Sequence, residues 1–179
     1  MACQDALIRV DESDRPLGPL GKADCHVGDG VLHRAFSVFL FDEQGRLLLQ
    51  QRSARKPLWP GYWANSCCSH PRWGERLGEA ARRRVGEELG TQPDGPLDWR
   101  FSFIYRARFG DAGSEHELCH VLTGTVDAAS VRPDPGEVAA LRWLHPSRLG
   151  DELGDPAAPF APWLRLEWPR LAPMLAAGA

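Results

Sequence analysis

Tyrosine and methionine are scarce, two of each in 179 residues, and no apolar run reaches the roughly 20 residues that a membrane-spanning helix needs. The five cysteines stand at irregular positions (Cys3, Cys25, Cys67, Cys68, Cys119) with no C-x-x-C pair. That pattern argues against a disulfide framework and a thiolate zinc site, and it fits a reducing compartment. An excess of one charge is also missing: 21 Lys and Arg against 24 Asp and Glu leave a formal net charge of -3. No general nucleic-acid binder is indicated, and basic residues matter only locally. The opening MACQDALIRVDESDRP has no basic stretch followed by an apolar one, so no signal peptide is read. A cytoplasmic protein without nucleic-acid or membrane partners is expected, as a monomer or weak homodimer. Repeats and low-complexity tracts are absent.

What is present suffices for one folded domain, since a hydrophobic fraction of 43% can fill a core. The first 30 or so residues are rich in turn formers, among them Pro16, Gly18, Pro19, Gly28 and Gly30, and are expected to wrap the main domain. Ala35 to Phe41 reads as a buried strand, Asp42 to Gly45 as a turn, and Arg46 to Gln51 as the returning strand of a hairpin. A long loop from Arg52 to Pro71 follows, and loops of that length inside compact domains tend to be functional. Glu75 to Leu89 reads as a helix closed by Gly90, with Leu77, Ala81, Val85 and Leu89 as its buried stripe. Trp99–Phe109 and Glu115–Val126 read as two strands joined by a turn, and Leu141–Leu144 as a short strand. The tail from Pro159 is expected to be helical in patches, interrupted at Pro162, Pro169 and Pro173. The sum is a mixed α/β sandwich.

His26, His33 and His70, with Glu115 and Glu117, form a nitrogen and oxygen donor set suited to Mn²⁺, Mg²⁺ or Zn²⁺. The two glutamates are two apart on a strand and would project from one face. An isolated surface histidine is more often without function. In the segment Trp59–Pro71, a cysteine shortly before His70, on a loop entering a helix, is placed for acid–base work, with a field favouring thiolate. Both Cys67 and Cys68 can equally be small buried hydrophobes. Lys22, Arg52, Lys56 and Arg84 could grip a diphosphate by charge-assisted hydrogen bonds, or simply be solvated surface.

Glu75, Arg83, Glu87, Glu88 and Gly90 fall in the register of a Nudix box, which this helix resembles. Ser69 stands where that box has its first glycine, and Arg84 where it has a glutamate. The second departure exchanges a metal carboxylate for a phosphate-binding cation and weakens a reading as a Nudix hydrolase of a nucleoside or other diphosphate. Together with Leu32–Ser37, Trp59–Pro71, Tyr105-Arg106 and Glu115–Cys119, the pattern resembles the type I isopentenyl-diphosphate isomerases from about Val10 to Trp163.

The resemblance implies a Nudix-like mixed-sheet sandwich of α+β class flanked by helices. Residues 1–30 would be an N-terminal extension supplying metal and diphosphate ligands, 31–150 the catalytic domain, and 151–179 a helical segment closing the site. It implies interconversion of isopentenyl and dimethylallyl diphosphate in isoprenoid biosynthesis by metal-dependent protonation and deprotonation. Cys68, rather than Cys67, and Glu117 would be the acid–base pair, Tyr105 the support of Glu117, and Trp163 an aromatic lid over the cationic intermediate. His26, His33, His70, Glu115 and Glu117 would hold Mn²⁺, Mg²⁺ or Zn²⁺. Glu88 would bind Mg²⁺ arriving with the diphosphate, which Lys22, Arg52, Lys56 and Arg84 would neutralise.

Overall fold

A computed structural model of the chain describes residues 6–177; Met1–Asp5, with Cys3, and Gly178–Ala179 lie outside the described residues. In chain order the elements are β1 (Ala6–Val10), β2 (Pro16–Gly21), α1 (Lys22–His26), β3 (His33–Phe41), β4 (Leu47–Arg52), β5 (Trp63–Ala64) and β6 (Cys67–Ser69). They continue as α2 (Leu77–Leu89), β7 (Asp98–Phe109), β8 (Gly113–Thr125), β9 (Val138–Leu144), α3 (Pro146–Leu153) and α4 (Pro162–Ala177). No helix among the described residues is long and apolar enough to cross a membrane.

β3 is the axis of the molecule. From Ala35 to Leu40 it is buried at every position, so both its faces need cover and both its edges are paired. One edge runs parallel to β8, from His33 opposite Glu117 to Phe41 opposite Thr125. The other takes β1 at His33 and β6 at Phe36 to Val38. The expected hairpin with β4 is corrected accordingly. Its turn is real, with Asp42 Oδ1 accepting from the backbone N–H groups of Gln44 and Arg46. The two strands nevertheless share only Phe41 opposite Leu47 before they diverge. β4 is also buried on both faces at its start and pairs with β9 and β5 instead.

Successive side chains of a strand point to opposite faces. The even residues Phe36, Val38 and Leu40 pack with Ala80, Ala81, Val85 and Leu89 of α2. The odd residues Ala35 and Phe39 pack with Leu149 of α3 and Trp163, Leu164, Trp168 and Leu171 of α4. The result is a mixed sheet with helices on both sides, as expected of the class.

Three local expectations change. The turn-rich N-terminal stretch contains an antiparallel pair, β1 with β2, in which Pro16 and Pro19 are tolerated because β2 pairs with β1 alone. α2 begins at Leu77, while Glu75 stays outside it, accepting from the Arg72 N–H and from Arg83. The tail is one helix rather than patches. Pro162 opens it and Pro169 and Pro173 lie within it. Burial of Trp163, Leu164, Trp168 and Leu171 along its inner face outweighs the lost backbone bonds.

Gly90 ends α2 in the left-handed region (φ 61°) and bonds back to the Gly86 carbonyl. A Cβ there would stand 2.2 Å from the Arg132 carbonyl oxygen, whereas one on Gly78 of the same helix meets open space. Gly90→Ala should therefore lower unfolding stability by about 1–3 kcal/mol in urea titrations. Gly78→Ala should leave it unchanged or raise it, by up to about 1 kcal/mol.

Candidate active site

Residues directly opposite one another in paired strands share a face. Cys68 lies opposite Ser37, Glu117 opposite His33, and Tyr105 opposite Glu117. Since His33 and Ser37 are both odd positions of β3, all five side chains leave the same face of the sheet. Glu115, Cys119 and His70 share that parity. Cys67 lies opposite Val38 and points the other way, wholly buried among the residues facing α2. Strand register thus separates the two adjacent cysteines. Only Cys68 lines the cleft of about 630 Å³ that opens on this face, together with Glu117, Tyr105, Trp163, Lys22, Arg52, Lys56 and Arg84.

At one end of the cleft His26, His33, His70, Glu115 and Glu117 place one ligand atom each within 4.8 Å of one another. α1 delivers His26, β3 delivers His33, the segment after β6 delivers His70, and β8 delivers both glutamates. The donors are prepared for a cation. Nδ1 of His26 meets the Lys22 carbonyl at 2.6 Å and Nδ1 of His33 the Val31 carbonyl at 2.7 Å. A proton on each Nδ1 leaves Nε2 with a free lone pair. His33 Nε2 and Glu115 Oε2 are buried without a hydrogen bond among the described residues, although His26 Nε2 lies 2.9 Å from the latter. Burial, reinforced by the charge of His70, pushes His33 down to about 3, so its imidazole is neutral. These observations fit a divalent ion that accepts nitrogen and oxygen donors.

Glu117 belongs to both halves of the site. Its Oε1 meets His70 Nε2 at 2.7 Å and its Oε2 accepts from the Tyr105 hydroxyl at 2.7 Å. Burial raises its pKa, against the opposing hydrogen bonds of Glu115 and Tyr105. Across the cleft, the Cys68 thiol donates to Asn65 Oδ1 (2.6 Å), and its sulfur accepts from Trp163 Nε1 (3.0 Å). The expected thiolate-favouring helix field is corrected here. Cys68 sits on β6, well before α2 begins, and burial holds its pKa well above the ordinary thiol value.

The cations form the other wall. Lys22 has its pKa lowered by burial and then by Lys56 and Arg84, which shows how tightly these charges converge. Glu88, wholly buried, answers them. Gln50 Nε2 donates to its Oε2 (2.9 Å), Arg84 Nη2 donates to its Oε1, and Lys56 Nζ stands 3.8 Å from Oε1. Glu88 is therefore apart from the histidine cluster. Arg52 is partly committed to structure, donating to the carbonyls of Leu58 and Trp59, while its guanidinium lies 5.2 Å over the Trp163 ring. Arg83 pairs with Glu75 and Glu87, outside the cleft.

Sequence reasoning missed four participants. Asn65 lay inside the quoted loop but was assigned no role. Glu137, which binds Lys56 and faces Arg84 at 3.5 Å, carries no local signal. Ser37 and Glu167, beneath Cys68, were also missed.

Comparisons with known proteins show the family. The family model described as the NUDIX domain matches residues 31–164. A protein of Burkholderia multivorans named isopentenyl-diphosphate Delta-isomerase is 45% identical over 161 residues, 89% of each chain. Its namesake from Nocardia farcinica is 47% identical over 156 residues, 87% of each. Among solved structures, DR0079 of Deinococcus radiodurans superposes with a TM-score of 0.73 at 26% identity, covering 92% of this chain and 98% of its own. The MutT protein of Methanosarcina mazei shares the fold, with a TM-score of 0.64 at 19% identity over 80% of this chain and 94% of its own. The chain belongs to the Nudix family and, within it, to the isopentenyl-diphosphate Delta-isomerases.

Proposed function

We propose that this chain interconverts isopentenyl and dimethylallyl diphosphate by adding a proton to one alkene carbon and removing one from another. The observation that carries this reading is the placement of Cys68, kept a thiol by burial, and Glu117, whose pKa burial raises, in one cleft walled by cations. No redox group is called for, because only protons move.

Lys22, Lys56 and Arg84, with the part of Arg52 left free, hold the diphosphate by charge-assisted hydrogen bonds. Anchoring this unreactive group presses the short hydrocarbon end between Cys68 and Glu117. An alkene is a feeble base, so protonation depends on excluding water and on a prepared electrostatic environment for the developing tertiary cation. The Trp163 ring, fixed by its N–H bond to Cys68, would offer its face to that cation. One member of the acid–base pair gives its proton and the other collects one; the reverse reaction exchanges their tasks. Tyr105 holds Glu117 in place throughout.

The five-residue cluster would hold Mn²⁺, Mg²⁺ or Zn²⁺, and a cation there fixes the position and protonation of Glu117. Glu88, whose Oε1 is engaged among the described residues only by groups proposed to grip the diphosphate, would take Mg²⁺ arriving with the substrate. Diphosphate hydrolysis has less to work with. Arg84 occupies a carboxylate position of the box, and its guanidinium lies on Glu88.

Removing one general acid–base group typically costs ~10²–10⁴-fold in rate. Cys68→Ala should lose turnover of isopentenyl diphosphate on that scale with an unchanged melting profile, whereas Cys67→Ala should retain it. Equal losses would refute the register argument. Replacing Glu117 by Gln should abolish turnover and also lower the metal that remains bound after dialysis. Elemental analysis showing full occupancy in Glu117→Gln and in His33→Ala would contradict the ligand assignment.

A further inference from the structure

A carboxyl group lies buried beneath Cys68 with no assigned task. Glu167 stands one turn after Trp163 on the inner face of α4 and is completely buried. Its Oε1 lies 3.5 Å from Cys119 Sγ, and its Oε2 has no hydrogen-bond partner among the described residues. Burial pushes its pKa up to about 8, with the charge of Glu117 adding to the rise and the nearby Ser37 and Cys119 opposing it. No basic side chain is among these influences, so the group is a neutral acid at neutral pH and retains a proton to donate.

Counting hydrogens gives that proton a destination. Cys68 Sγ spends its own hydrogen on Asn65 and accepts from Trp163 Nε1 and, at 3.8 Å, from the Ser37 hydroxyl. A hydroxyl that donates to Cys68 presents its lone pairs to the opposite side, where Cys119 Sγ lies 3.5 Å from Ser37 Oγ. Cys119 has one hydrogen and two acceptors in reach, Ser37 Oγ and Glu167 Oε1. An ionised Glu167 would draw the Cys119 hydrogen to itself and deprive Ser37 of the donor that turns its hydroxyl toward Cys68. A neutral Glu167 donates instead, and every bond in the chain then runs toward the reactive sulfur.

We propose that Glu167 is a positioning residue: as a neutral acid it donates to the Cys119 sulfur, so that the Cys119 thiol donates to Ser37 and the Ser37 hydroxyl to Cys68 Sγ. This rests on the role of Cys68 given above. Glutamine keeps a neutral donor of the same shape, whereas methionine and leucine fill the space without one.

The test compares kcat and KM for isopentenyl diphosphate with Mg²⁺ in the wild-type chain, Glu167→Gln, Glu167→Met, Glu167→Leu, Ser37→Ala and Ser37→Ala combined with Glu167→Met. Loss of one neutral hydrogen bond corresponds to about fivefold in rate. Glu167→Gln should keep kcat within about twofold, while Glu167→Met and Glu167→Leu lose about fivefold in kcat at unchanged KM. In the Ser37→Ala background Glu167→Met should cost nothing further, as residues acting through one another require. Wild-type kcat in the apolar variants, an equal loss in Glu167→Gln, or the same loss on top of Ser37→Ala would each overturn the proposal. Failure of the wild-type chain to isomerise would strike the functional reading instead. The alkylation rate of Cys68, read by mass spectrometry of its peptide, then decides the positioning role without turnover. Slowing in Glu167→Met with a wild-type rate in Glu167→Gln supports it, and equal rates in all three chains refute it.

Discussion

The register of β3 against β6 and β8 is the constraint on which the site depends. It lines up His33, Ser37, Cys68, Glu117 and Tyr105 on one face and sends Cys67 to the other. Strand side chains alternate, so a shift by one residue would exchange every member of this set for its neighbour. Burial on both faces and pairing on both edges make such a slip expensive. The packing that stabilises the sheet and the geometry of the proposed acid–base pair are thus one feature seen twice.

The electrostatics follow from that burial. Burial holds Cys68 and Tyr105 in their proton-bearing forms and raises the pKa of Glu117. Charge is kept where it has partners: the cations face one another across Glu88 and Glu137, and the imidazoles meet Glu115 and Glu117. A small hydrocarbon could then sit between the buried Cys68 and Glu117 while its charged end lies among the cations. Such a division suits chemistry that passes through a carbocation and requires that water be excluded.

The sequence disclosed the parts of the fold governed by local periodicity. α2 and the strands β7 and β8 lie within a few residues of their expected bounds. Tertiary effects governed the rest. The prolines of β2 suggest a turn until the strand is known to be an edge, and those of α4 suggest a broken helix until its buried tryptophans are seen. The expected hairpin is cut to a single antiparallel pair because β6 takes part of β3 and β9 and β5 take β4, and a single sequence does not reveal a partner many residues away. In the site, residues carried by a motif were legible, as were paired donors such as Glu115 and Glu117. Glu137, Ser37 and Glu167 were not, because each acquires its meaning from a neighbour on another element. The thiolate expectation for Cys68 failed for a related reason, since a dipole was anticipated where burial prevails.

The central claim is that a sulfur and a carboxyl on one sheet face shuttle protons through an anchored alkene. Incubating the chain with isopentenyl diphosphate and Mg²⁺ in deuterated water, followed by proton NMR, tests it most directly. The account predicts dimethylallyl diphosphate as product, with deuterium bound to carbon. Release of inorganic phosphate or diphosphate from an unlabelled, unisomerised carbon skeleton would contradict it.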